Sequence, residues 1–190
     1  MKDSHELSRR EFCALGAMAA ATLLLPRAAA GSTRSTIGDR DLSFFHTHTL
    51  ERLQTTYCRE GQCEPEALNA INHLLRDFRT DEVTAIDVKL LDLLNALDGA
   101  LQTRDPYHVI SGYRSPQTNA MLRTRGGAHA GVASRSLHMV GKAIDIRVPG
   151  VPLKELHRAA VSLKRGGVGI YPTSNFVHVD VGRVRYWSGS

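Results

Sequence analysis

The chain has 190 residues, 42% of them hydrophobic, which is enough for one domain with an ordinary core. A net charge of +5 and a pI of about 9.4 favour anionic partners such as lipid headgroups, nucleic acid or cell-wall polymer. Only 6% of residues are aromatic and no Lys/Arg run is interleaved with them, which argues against nucleic acid.

The first residues read as an export label. Ser8-Arg9-Arg10-Glu11-Phe12 is a twin-arginine pattern, followed by the apolar stretch Cys13 to Leu25 and by Ala28-Ala29-Ala30 as a small-residue cleavage site. The stretch is too short for a comfortable membrane span. Residues 1–30 are therefore expected to be a signal peptide, 31–41 a polar lead-in and 42–190 the folded domain. The expected location is the periplasm, without stable membrane insertion. Cys58 and Cys63 remain after such processing, and an even pair in an exported protein points to a disulfide closing a small loop. A metal pair is the alternative, but no second cysteine pair exists to complete a four-thiolate site.

Residues 42–49 and 51–57 alternate apolar and polar and predict a short hairpin. Glu64-Pro65-Glu66 starts a helix, with Leu68, Ile71, Leu75 and Phe78 at helical spacing. Residues 87–101 predict a second helix, with a leucine stripe through positions 90, 94, 97 and 101. Residues 107–111 are a strand, and 116–125 a short helix with Ser115 as its N-cap. After a Gly/Ala-rich loop, 142–148 predict a strand, 152–164 a helix, and 168–171, 176–181 and 184–187 three short strands. The order implies an α+β domain, with helices covering one face of a mostly antiparallel sheet.

The chemistry concentrates in Ser136-Leu-His138-Met-Val-Gly141-Lys-Ala143-Ile-Asp145 and in Phe176-Val-His178-Val-Asp180. Side chains alternate along a strand, so Asp145 lies opposite in sense to Ile144 and Ile146, and His178 opposite to Val177 and Val179. If the two strands are neighbours, Asp145 and His178 face each other across the ladder, with Cβ atoms about 5 Å apart. His138 reaches the same point from the preceding loop, which Gly141 lets turn tightly. Two imidazoles and one carboxylate, with a fourth position left for water, make a catalytic zinc site rather than a structural one. Taken singly, each of these residues is more often a satisfied polar group; the joint pattern carries the assignment. His46 and His48 share one strand face and could bind metal, although an exposed pair is the common case. His73, His108 and His157 read as surface residues.

These motifs, together with Ser111-Gly112-Tyr113-Arg114-Ser115, Gly166-Gly167-Val168-Gly169-Ile170-Tyr171-Pro172 and Ser174-Asn175 before Phe176, resemble the superfamily of zinc D-Ala-D-Ala carboxypeptidases and VanX-type peptidases. That superfamily shares its fold with the hedgehog signalling domain. Within it the likeness is closest to the YcbK (MepK)-like murein endopeptidases and spans residues 42–187. The resemblance implies a zinc peptidase acting on peptidoglycan stem peptides, most specifically on cross-links between diaminopimelate residues, with His138, Asp145 and His178 as ligands. A carboxypeptidase trimming terminal D-Ala is the near alternative. A zinc-containing binding module and a polar cluster without metal are the others.

The resemblance also bears on catalysis. Arg114 follows a strand and a glycine, where it can clamp a substrate carboxylate or stabilise an oxyanion. Many relatives place a glutamate or histidine three or five residues before the last ligand; here those positions hold Asn175 and Thr173. From Pro106 onward the acids are Asp145, Glu155 and Asp180. Asp180, on the face of His178, is the nearest candidate base, and orienting a ligand is its other reading. His129, in the loop before His138, is a second possible proton carrier.

Overall fold

The computed structural model describes residues 38–126 and 132–189. The expected leader and most of the lead-in lie outside the described residues. The first strand, β1 (Arg40–His46), begins just before the point where the sequence places the domain. It is followed by β2 (Arg52–Arg59), β3 (Gln62–Cys63), α1 (Pro65–Leu74), α2 (Val88–Leu101), β4 (Tyr107–Ser111) and α3 (Pro116–Gly126). A 3-10 turn (Leu137–Val140) leads into β5 (Ala143–Arg147), then α4 (Leu153–Leu163), β6 (Gly167–Tyr171), β7 (Phe176–Asp180) and β8 (Arg185–Ser188).

The strands form one eight-stranded sheet in the order β3-β2-β1-β4-β5-β7-β6-β8. Its pairs are antiparallel except β1–β4 and β6–β8, so the domain is α+β as the sequence implies. Helices α1, α2 and α4 pack on the sheet. Leu90, Leu91, Leu94 and Leu97 of α2 are fully buried against Tyr107, Val109, Ile144, Ile146, Val177 and Val179. Burying one such aliphatic side chain stabilises the fold by about 1.5–3 kcal/mol, so this face holds the sheet in place. The Asp87 carboxylate caps α2 by accepting from the Lys89 N–H at 2.9 Å. Ser115 caps α3 as expected, accepting from the Thr118 N–H at 3.2 Å. Cys58 and Cys63 face each other across the β2–β3 ladder and are joined by a disulfide. Among the described residues no helix is long and apolar enough to cross a membrane.

The structure departs from the sequence reading at two places. Helix α1 stops at Leu74 and does not run on to Phe78. Asp77 sets the turn that follows: it is buried, and its carboxylate accepts from the backbone N–H of Arg79 at 3.0 Å and of Ser115 at 2.8 Å. Those bonds fasten the end of α1 to the start of α3. Phe78 is left to stack on the His48 ring, 4.1 Å between centroids.

The second departure is His46, which is fully buried, whereas His48 is exposed. The Nδ1 of His46 accepts from the backbone N–H groups of His48 and Thr49 at 3.3 and 3.2 Å, closing the turn into β2. Burial first, and then the His48 and Arg76 charges, bring its pKa down from 6.5 to about 4, against an opposing pull from Glu51. A folded chain that refuses this proton, set against an unfolded chain that takes it near 6.5, loses stability as pH falls through the interval between them. Urea denaturation is expected to show that fall from about pH 6.5 to about pH 4. His46→Asn, which keeps an acceptor in the Nδ1 position without titrating, is expected to flatten it; an unchanged slope removes His46 as the cause.

Candidate metal centre

β5 and β7 are antiparallel neighbours, and their register sets Asp145 directly opposite His178. Ile144 and Ile146 pair with Val179 and Val177 on the opposite face, all four fully buried. The alternation read from the sequence therefore places two polar side chains together on the face away from that aliphatic core. His138 arrives from the 3-10 turn, which Gly141 closes in the left-handed region at φ 65°. A Cβ at Gly141 would also collide with the Ala85 carbonyl, so only glycine lets the turn seat itself here.

The three side chains converge. His138 Nε2 lies 3.1 Å from His178 Nδ1 and 3.2 Å from Asp145 Oδ1, and the last two are 2.8 Å apart. Ligands at the corners of a tetrahedron with bonds near 2 Å stand about 3.3 Å apart, so the trio fits a single divalent ion. It is the group of metal-ligating side chains that stands out among the described residues.

Each ligand is also held from behind. His138 Nδ1 donates to the Gly112 carbonyl at 2.7 Å, since a carbonyl can only accept, and Nε2 is left with its lone pair free. His178 Nε2 donates to Asp180 Oδ2 at 3.0 Å and leaves Nδ1 free. The outer oxygen of Asp145 is taken by Arg114 Nη2. Partners of this kind fix the tautomer and ring orientation that a ligand must present.

Those partners are themselves anchored. Gly112 lies tight against the Leu75 carbonyl, which accepts from the Tyr113 N–H at 2.8 Å, so the end of α1 pins the oxygen that holds His138. An irregularity in the β4–β5 ladder between Val109 and Ser111 keeps Val109 opposite Ile146 but brings Ser111 opposite Asp145. The bulge thus turns Ser111 onto the ligand face, where its Oγ accepts from Arg114 Nε at 2.9 Å. Arg114 Nη1 has no acceptor among the described residues.

Asp180 is fully buried and saturated with donors. Besides His178, it accepts from the N–H groups of Gly167 at 3.0 Å and Gly182 at 2.8 Å, and from Arg185 through Nη1 at 3.1 Å and Nη2 at 2.7 Å. Burial opposes its charge, but the His178, Arg185 and glycine bonds prevail and hold the carboxyl far below the usual range. Burial likewise opposes the Asp145 charge, and the neighbouring His138 and Arg114 overcome it, keeping Asp145 ionised. Burial and then Arg114 bring His138 down to about 4, so it is neutral at pH 7. Burial works against the His178 cation, but its bonds to Asp145 and Asp180 raise the pKa in the absence of a metal.

Two glycines of β6 let side chains of the edge strand reach this cluster. Gly169 pairs with His178 on one side and with Trp187 on the other. A Cβ there would fall inside the indole. Trp187 therefore lies across β6, 5.3 Å from the His178 ring between centroids, with Nε1 donating to the Tyr171 hydroxyl at 2.9 Å. Gly167 pairs with Arg185, and a Cβ there would meet both the guanidinium and the Asp180 carboxylate. Arg185 thus crosses the same strand and forks onto Asp180.

The cluster forms the floor of an open groove of about 320 Å³. Arg114, Arg135, Ser136, Tyr171, Phe176 and Trp187 are among the residues that line it. Among the described residues Asp145 is its one acid. Asn175 and Thr173 are exposed on the turn before β7, Glu155 is exposed on α4, and His129 lies outside the described residues. Sequence reasoning missed Arg135, Arg185, Trp187 and Asp77. The signal for two of them was present: Gly167 and Gly169 alternate on β6 as Arg185 and Trp187 alternate on β8.

Trp187 is the chain's single tryptophan, so its fluorescence reports this wall alone. Gly169→Ala is expected to displace the indole towards solvent and shift its emission to longer wavelength, with the fold retained by circular dichroism. An unmoved spectrum would mean that the ring does not depend on the space left by Gly169.

The family model described as peptidoglycan L,D-endopeptidase MepK matches residues 34–187. The protein of that name from Escherichia coli strain K12 is 40% identical over 185 residues, covering 97% of this chain and 100% of the relative. The protein of that name from Shigella flexneri gives the same figures, 40% over 185 residues. A probable peptidoglycan L,D-endopeptidase MepK from Haemophilus influenzae is 40% identical over 183 residues, covering 96% of each chain. No solved structure matches the chain.

Proposed function

This chain belongs to the MepK family of peptidoglycan L,D-endopeptidases, and from that premise we propose that it is a zinc-dependent endopeptidase of the periplasm, exported by the twin-arginine route, that hydrolyses peptide cross-links between diaminopimelate residues. One observation supports the metal chemistry above all others. Three donor atoms, each with its other polar atom occupied, converge within 3.2 Å of one another at the floor of an open groove. Two nitrogens and one oxygen suit zinc and leave room for a fourth ligand.

His138, Asp145 and His178 would hold the ion, which supplies a water of lowered pKa and a Lewis-acid contact for the scissile carbonyl. Arg114 keeps Asp145 oriented through Nη2 and retains Nη1 for the oxyanion. Asp180 acts through His178: it holds the imidazole by its Nε2–H, and Arg185 holds the carboxylate in turn. A carboxylate committed to this many donors is a poor proton acceptor, so the orienting role is preferred to that of general base. His129 is proposed as the proton carrier from its place in the sequence shortly before His138.

The purified protein is expected to carry about one zinc per chain by mass spectrometry and to cleave cross-linked muropeptides. His178→Ala is expected to lose both with the fold intact. Asp180→Asn is expected to weaken metal affinity by about 10–100-fold, whereas His129→Ala is expected to slow turnover with metal content unchanged. Zinc without cleavage of any muropeptide would favour a binding module, and the absence of metal under non-chelating conditions would end the proposal.

A further inference from the structure

Three guanidinium groups line the groove, and two of them are already committed. Arg114 bonds to Asp145 and Ser111. Arg185 forks onto Asp180 and lies over the Trp187 ring, 4.9 Å from its centroid. Arg135 has no carboxylate, carbonyl or aromatic partner among the described residues, and it is exposed. Its position is nevertheless fixed by the metal centre. It precedes Ser136, whose carbonyl accepts from the Met139 N–H at 3.1 Å to start the turn that carries His138. An anion held by Arg135 therefore lies in the same groove as the candidate metal centre.

The charge of the groove fits an anion. Among the described residues the groove offers one acid, Asp145, and Arg114 already neutralises it. The same groove is lined by Trp187 and by the stacked pair of Tyr171 and Phe176, 4.5 Å between centroids, which give it apolar surface. A groove that holds both a free guanidinium and such apolar surface is complementary to an aliphatic side chain that ends in a carboxylate.

We propose that Arg135 reads a free carboxylate on the substrate residue that flanks the scissile amide, and so restricts the groove to cross-links in which that carboxylate is ionised. This rests on the peptidase reading above. A link between two diamino dicarboxylic acids leaves a carboxylate beside the amide; capping it as an amide removes the charge and one acceptor. Arg135 is then a specificity residue that acts by binding, so its effect falls on KM more than on kcat. Its planar fork pairs with both carboxylate oxygens, which a lysine cannot reproduce.

The test compares two synthetic cross-linked peptides, identical except that the flanking diaminopimelate carboxylate is free or amidated. Wild-type protein is expected to prefer the free form by about tenfold in kcat/KM, the size of one exposed charge-assisted hydrogen bond. Arg135→Ala is expected to lose that factor on the free form, mostly in KM, and to treat both peptides alike; Arg135→Lys is expected to recover part of it. Titration of the Trp187 fluorescence gives the same comparison as binding, without need of cleavage. A wild type indifferent to amidation in both readouts, or an Arg135→Ala protein that still discriminates, overturns the inference. Discrimination in binding with no cleavage of either peptide upholds it and sinks the peptidase reading instead.

Discussion

The register of β5 against β7 is the constraint on which everything else depends. Asp145 opposite His178 is one rung of that ladder, and the rungs on either side are Ile144 with Val179 and Ile146 with Val177. A slip of β7 by one residue would turn His178 into the core and Val177 and Val179 out of it, while Asp145 stayed on its own face. The same apolar contacts that stabilise the domain therefore enforce the geometry of the site. The rung also extends sideways. Ser111 of β4, Asp145, His178, Gly169 of β6 and Trp187 of β8 are successive partners at one level of the sheet. The floor of the groove is a single row of residues across five strands, and β6 contributes a glycine so that its neighbour can reach in.

The electrostatics rest on one carboxylate of that row and on another two positions after His178. Asp145 and Asp180 are both buried carboxylates, and each is matched by an arginine and a histidine. Breaking a buried pair by removing one partner costs about 3–5 kcal/mol, so such charges are kept only where they are answered. Here each one is answered by a group that also orients a ligand: Arg114 holds Asp145, Asp180 holds His178, and the Gly112 carbonyl holds His138. These contacts hold the three side chains of the candidate metal centre in a fixed arrangement.

What could be read from the sequence was whatever is written in local period and local chemistry. Strand alternation around Asp145 and His178, the leucine stripe of α2 and the Ser115 cap are all of this kind, and each is found where the pattern places it. What could not be read depends on residues distant along the chain. Asp77 looks like one more polar residue after a helix, until Ser115, far along the chain, supplies a donor and makes it the end of α1. Phe78 kept the helical spacing but not the helix for that reason. His46 reads as half of a surface pair because nothing local reveals that two backbone donors of its own turn enclose it. Gly167 and Gly169 read in the sequence as part of a motif; their purpose is the passage of Arg185 and Trp187, visible only once β8 lies beside β6.

The lining of the groove comes from two stretches of the chain. Arg114, Arg135 and Ser136 precede β5, whereas Tyr171, Phe176 and Trp187 follow α4. They meet only because β5 and β7 pair between them. The ligands, by contrast, are fixed from below by Gly112, Asp180 and Arg114, and two of those three lie beneath the floor and not in the groove wall. The candidate metal centre and the proposed selectivity of Arg135 are therefore supported by largely separate contacts. A change at Arg135 leaves every ligand partner in place, while a change at Arg185 reaches His178 through Asp180. Arg114 is the exception, because it belongs to the wall and to Asp145 at once, and no substitution there can alter what the groove admits without also loosening what lies at its floor.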